Sequence, residues 1–264
     1  MHHGRWDDAL FVSFPVDSQA LSQRIPQGLV IDEHDGVAYV SIVALTEAAI
    51  IPWPPGVPIW LLRWMGLSHH ALNVRTYVRP AAGREGPPGI FFFSLDCSAA
   101  LPTIGARALF NLPYRYASMR RRTVMDDDGA RSGTAGSQVR SLESHAVLSK
   151  VAFSSEWVAS PSSSPEEDQL GRFLVERYAL YNAAGACSAV GLLARAMHAR
   201  SSTWCGSITH KPWPLYRARL ISWCTNVLEA VDLHTSVRGE PIAHCSSGVD
   251  AITFFWRGFL CKLE

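Results

Sequence analysis

Arginine, asparagine and tyrosine recur at every second position of NVRTYV, residues 73–78, so strand periodicity sets Asn73, Arg75 and Tyr77 on one face and Val74, Thr76 and Val78 on the other. A planar guanidinium matches a carboxylate, and an amide and a phenol beside it can fix the orientation of a small acid or ketone. The alternative is a buried structural network in which Asp96, across the hairpin, satisfies Arg75. The return arm, GIFFFSLD at 89–96, is too apolar for a strand with one face in water, so both faces are expected to be covered. Together the arms predict a closed sheet with an enclosed polar pocket.

Other residues could join that chemistry. Glu176 and Arg177 stand together in FLVERYALY, at 173–181, an acid with a cation beside it. Arg177 falls within the helical stripe Leu170, Phe173, Leu174, Tyr178 and Tyr181, as a ligand contact or as a snorkelling or locally paired side chain. His210 can act as acid or base near neutrality, or be structural before Pro212. Arg107 and Tyr114 flank a short predicted helix and either reach the same cavity or lie on the surface. Amine chemistry is confined to Lys150, Lys211 and Lys262. The candidates for catalysis are thus Glu176, His210 and Lys150, and for ligand binding Asn73, Arg75, Tyr77, Arg107, Tyr114 and Arg177.

Composition excludes several classes. With 24 Lys plus Arg against 23 Asp plus Glu, the formal charge of +1 gives no field to recruit nucleic acid or an anionic membrane. Residues 50–62, IIPWPPGVPIWLL, are apolar but too short and too proline-rich for a spanning helix. The six cysteines form no CxxC pair and read as free thiols; with no secretory signal at the N-terminus, a cytoplasmic protein is expected. His69, His70 and His244 lack metal-site spacing, and no GxGxxG or GxxxxGK[ST] is present, so no cofactor is expected. The expected partner is a small-molecule ligand, with a homo-oligomer left open.

The elements that must position these residues are mostly strands. Asp17 or Ser18 caps a short helix to about Arg24. Asp35-Gly36 predicts a hairpin over 28–45, and the Pro/Trp-rich piece 50–67 reads as a core-packing loop or a lid. A short helix ends near Pro113, the acidic turn 126–129 follows, and Arg120 to Arg122 guard a sheet edge or bind phosphate. Residues 144–158 alternate as one strand, and Ser164, Pro165 and Glu167 form a capping box for a helix to Asn182. After the ambiguous Ala-rich 186–203 come strands at TWCGSIT and 215–224, a helix at TNVLEAVDL, and a last hairpin with turn signals at Gly239 and Gly248. The sum is an α+β chain, a single domain over 1–264, built on a mainly antiparallel barrel-like sheet with a few flanking helices.

LNVRTYV (72–78), GIFFFSLD, ARALFNLPYRYASM (106–119), FLVERYALY, HKPWPLYRA (210–218) and AHCSSGVD (243–250), in this order, resemble the YqjF-like family of uncharacterised bacterial proteins. The resemblance covers nearly the whole chain. It implies a fold like that of acetoacetate decarboxylase, a barrel enclosing a pocket, and a keto acid or similar carboxylate as ligand. In that family a glutamate usually stands where this chain has Ala71, and acetoacetate decarboxylase uses a lysine beside a second cation, whereas no Lys-Lys pair occurs here. Whether the chain is an enzyme is therefore open. The alternatives are a binding protein for an apolar or aromatic metabolite without turnover, and a structural or interaction module.

Overall fold

Strand β1 (His2–Val16) serves two closed circuits of strands, and the rest of the sheet is arranged by that double use. The computed structural model describes residues 2–52, 67–100, 103–104, 113–125, 138–146, 151–159, 168–177, 179–182, 203–209, 215–246 and 249–255. After β1 come β2 (Leu29–Ile31), β3 (Ala38–Pro52), β4 (Leu67–Pro80), β5 (Gly89–Cys97), β6 (Tyr114–Met125), β7 (Gln138–Ala146) and β8 (Ala152–Ala159). Then follow β9 (Ala179–Asn182), β10 (Thr203–Thr209), β11 (Leu215–Thr225), β12 (Ile242–Ser246) and β13 (Val249–Phe255). Short helices are α1 (Ser18–Ser22), α2 (Gln169–Val175) and α3 (Val227–Ala230).

The larger circuit is a closed nine-strand mixed barrel, β1-β12-β11-β8-β7-β6-β5-β4-β3, antiparallel throughout except between β5 and β6. The second runs β1-β3-β4-β5-β9-β10-β13, with β5 and β9 parallel. They share the wall β1-β3-β4-β5. β1 passes from one circuit to the other at Asp8: β13 pairs with His2 to Trp6, and β12 with Ala9 to Ser13. Asp8 itself takes a left-handed φ of 47°, its carbonyl accepting from Arg121 at 2.6 Å and its carboxylate from Arg140 at 3.0 Å.

A shared wall is covered on both faces, and β4 is buried continuously from Ala71 to Val78. One face carries Leu72, Val74 and Val78 against Leu142, Phe153 and Trp157 across the nine-strand barrel. The opposite face sets Ala71 and Tyr77 against Leu174 and Val175 of α2, with Phe11 and Val43 beside them. Each fully buried aliphatic side chain in these layers contributes about 1.5–3 kcal/mol.

Several local expectations change. Asp35 and Gly36 do form a tight turn, with φ of 51° and 76°, but only the His34–Val37 bridge spans it. β2 pairs with β4 instead, because β3 is already flanked by β1 and β4. The stretch 144–158 is not one strand: β7 and β8 pair antiparallel, Ser144 opposite Phe153. The expected last hairpin also separates, since β12 and β13 each pair with β1 rather than with one another. The helix expected to reach Asn182 ends at Val175; Tyr181 lies in β9, where the hydrogen bonds of the second circuit override helical periodicity. The capping box at 164–167, the acidic turn 126–129, most of 50–67 and 186–203, and most of the helix before Pro113 lie outside the described residues. The expectations at Asp17, 215–224, TWCGSIT and TNVLEAVDL are met by α1, β11, β10 and α3.

Gly89 is the close point between β5 and β9, where an added Cβ would lie 2.4 Å from the Ala179 carbonyl oxygen. Backbone on backbone cannot rotate away, so Gly89→Ala is expected to lower stability by about 1–3 kcal/mol in urea denaturation. An unchanged midpoint would show that the β5–β9 pairing contributes nothing to the fold.

Candidate functional site

Five alternate positions of β4, His69, Ala71, Asn73, Arg75 and Tyr77, share the face turned toward α2. At one end a directed relay forms. Tyr77 donates its single hydroxyl proton to the Leu174 carbonyl at 2.9 Å, so Ser41 must donate to Tyr77 at 2.6 Å, and Ser13 to Ser41 at 2.7 Å. Arg75 Nη2 donates to the same Leu174 carbonyl at 2.7 Å. That carbonyl belongs to the last turn of α2, where helical carbonyls lack intrahelical partners and carry partial negative charge.

Arg75 is only 3% exposed. Its guanidinium lies 5.1 Å from the Phe11 ring centroid and 5.7 Å from that of Tyr77. Among the described residues no carboxylate pairs with it, and its Nε and the neighbouring Asn73 Oδ1 have no hydrogen-bond partner. The network alternative assigned Arg75 to Asp96. Asp96 instead lies opposite Leu72, on the other face, and accepts from Arg115 at 2.7 Å. Burial, offset in part by Arg115, raises its pKa. Strand parity keeps the two groups apart, since Asp96 registers with Leu72 on the even-numbered face of β4 and Arg75 belongs to the odd-numbered one.

The other end of the face holds His69, Glu47, Cys97 and Tyr114. His69 Nε2 sits 3.1 Å from Glu47 Oε2, with the carboxylate off the ring N–H axis, and Nδ1 has no hydrogen-bond partner among the described residues. Burial alone would lower its pKa, but contact with Cys97 and Glu47 and electrostatic attraction to them outweigh this and raise it to about 10. Cys97 stands directly opposite Ala71. Burial, then Glu47 and Cys97, hold the Tyr114 phenol well above its ordinary pKa.

Of the residues expected at the site, Asn73, Arg75 and Tyr77 share one face and Tyr114 joins at the His69 end. Arg177 donates to Asp32 at 2.9 Å and lies 4.2 Å over Phe173. Glu176 ends α2 as its C-cap, and its carboxylate has no ion-pair partner among the described residues. Arg107, His210 and Lys150 lie outside the described residues, as do Lys211 and Lys262. Glu47, Ser41 and the Leu174 carbonyl were not expected, and His69 was weighed only as a metal ligand. His69 could have been found by carrying the period of Asn73 and Arg75 back past Ala71. Among the described residues, no group of three or more His, Cys, Asp and Glu is placed to hold a metal ion, and no helix is long and apolar enough to cross a membrane.

The helix that supplies the Leu174 carbonyl is fixed from its start. Asp168 caps it through the Gly171 N–H at 2.8 Å and accepts from buried His244 Nε2 at 2.8 Å. Burial, the largest single effect, raises the Asp168 pKa, but the Gly171 and His244 hydrogen bonds together with the nearby His244 and Arg217 outweigh it and lower it overall.

A family model described as an uncharacterized conserved protein, DUF2071, matches residues 3–250. The uncharacterized protein YqjF of Bacillus subtilis (strain 168) is 30% identical over 258 residues, 95% of this chain and 88% of that protein. Among solved structures, the enduracididine biosynthesis enzyme MppR complexed with pyruvate is similar with a TM-score of 0.58 at 13% identity, over 96% of this chain and 87% of that one. Acetoacetate decarboxylase from Legionella pneumophila subsp. pneumophila str. Philadelphia 1 gives 0.57 at 9% identity, over 97% and 85%. These likenesses show the acetoacetate decarboxylase-like fold that the sequence motifs implied.

The charge on His69 has a consequence in solution. A folded pKa of about 10 against an ordinary 6.5 means the native state keeps a proton that the unfolded chain releases. Its stabilisation is complete below about pH 6.5 and is lost as pH rises toward about 10. His69→Gln is expected to flatten that decline in urea titrations across the range; parallel curves for parent and variant would show that the ring is neutral.

Proposed function

This chain belongs to the DUF2071 family of uncharacterized conserved proteins, and we propose that it takes up a small keto acid or similar carboxylate on the enclosed face of β4, with Arg75 as the anion clamp. The carrying observation is a buried guanidinium without a counter-ion among the described residues. Burying a charge in isolation costs several kcal/mol, and one backbone carbonyl and two aromatic faces offset only part of that. A carboxylate reaching Nε completes the pairing in the geometry guanidinium favours. Asn73 and Tyr77 flank it on the same face, and the Leu174 carbonyl holds the Nη2 side in place. That MppR, of the same fold, is described complexed with pyruvate supports this ligand class.

Turnover is a separate matter. An amine route would need Lys150, Lys211 or Lys262 with a cationic neighbour to depress its pKa. Borohydride reduction with a β-keto acid tests it, since a lysine adduct found by mass spectrometry identifies the amine. A second reading, a carrier for an aromatic acid without turnover, is favoured by Phe173, whose ring centroid lies 5.2 Å from those of both His34 and Tyr77.

A clamp and a structural arginine respond oppositely to replacement. Arg75→Met is expected to weaken pyruvate binding at least tenfold by calorimetry while raising Tm in the absence of ligand, because an apolar side chain replaces an uncompensated charge. Unchanged affinity with a lowered Tm would assign Arg75 to structure alone.

A further inference from the structure

Three side chains on the enclosed face of β4 are more than nine-tenths buried and keep unmet hydrogen-bonding capacity: Arg75 at Nε, Asn73 at Oδ1 and His69 at Nδ1. They stand in one row, because odd positions of a strand share a face. Six residues of strand separate His69 from Arg75, roughly 20 Å between their Cα atoms at the usual rise. The Arg75 guanidinium leans back along the row, since it lies over Phe11, whose strand position is aligned through Val43 with Asn73. Between Asn73 and His69 the row is interrupted by Ala71, a methyl group flanked by Leu45 and Cys97. A two- or three-carbon acid held at Arg75 cannot reach His69. A longer one lying over Ala71 can.

Resting on the reading of Arg75 as an anion clamp, we propose that the row selects an elongated oxo acid, its carboxylate on Arg75 and a distal carbonyl oxygen accepting a hydrogen bond from His69, with Ala71 as the residue that admits its length. Asn73 Oδ1 then serves a hydroxyl or N–H along the ligand chain. Glu47 balances the His69 charge at 3.1 Å, so that end presents a donor to a neutral oxygen without demanding a second carboxylate. A side chain larger than alanine at position 71 would stand between the two ends of the row.

The test is calorimetric titration of the full chain with a homologous series in which the ketone moves away from the carboxylate: pyruvate, 4-oxopentanoate, 6-oxoheptanoate and 8-oxononanoate. The expected result is affinity rising along the series to at least tenfold above pyruvate. His69→Gln and Ala71→Leu should each abolish that gain, bringing 8-oxononanoate down to the affinity the same variant has for pyruvate, and thermal melts of both variants establish that they are folded. Should Ala71→Leu fail to fold, His69→Gln decides alone. A flat series, or a length preference that survives His69→Gln, overturns the elongated ligand while pyruvate binding that is lost in Arg75→Met leaves the clamp standing. Failure of the parent to bind any member of the series overturns both.

Discussion

The Arg75 guanidinium lies in the interior against one backbone carbonyl and two aromatic rings, and much of the arrangement around it follows from placing a charge there. The carbonyl that receives it must come from a helix end, because a mid-strand or mid-helix carbonyl is already engaged. That fixes where α2 stops. Tyr77 donates to the same oxygen, and the hydroxyls of Ser41 and Ser13 complete the chain, so one uncovered helical carbonyl organises side chains from β1, β3 and β4. Asp168 and His244, at the other end of α2, hold the helix that presents it.

The second constraint is the wall shared by two circuits. A strand buried on both faces cannot slip by one residue without exchanging its two sets of side chains, so the register of β4 is strongly fixed. Polar groups enter such a wall only where they are paired or where something else completes them. Asp96 and Arg115 on one face are the paired case. The row from His69 to Arg75, on the other face, holds hydrogen-bonding atoms that no described residue completes.

Much of this was legible from residue order. The alternation Asn73, Arg75, Tyr77, set against a return arm apolar on both sides, was enough to place a polar face inside a closed sheet. The family motifs pointed to the acetoacetate decarboxylase-like fold. Less legible was anything set by pairing between distant strands. Asp35-Gly36 shows a turn but not that β2 will leave β3 for β4, and Gly239 and Gly248 do not reveal that β12 and β13 both seek β1. Arg177 and Tyr181 looked helical because FLVERYALY carries a helical period, yet the chain leaves the helix at Val175 and Arg177 meets Asp32, a partner far away in sequence. The Leu174 carbonyl could not be found from side-chain identities at all, since its role belongs to the backbone.

β1 lies between β12 and β13 on one side and β3 on the other, so residues at the start of the described chain, such as Ala9, are held opposite residues such as Ser246 near its end. The larger circuit cannot close until β12 is available, nor the second until β13 is. During synthesis the early hairpin of β3 and β4 can form while β1 retains an unpaired edge, and closure carries a large loop-entropy cost. Asp8, where β1 changes partners, divides that final step into two separate dockings. The barrel is thus assembled late and from its seam, which makes the nascent edge of β1 the exposed, aggregation-sensitive element until the last strands arrive.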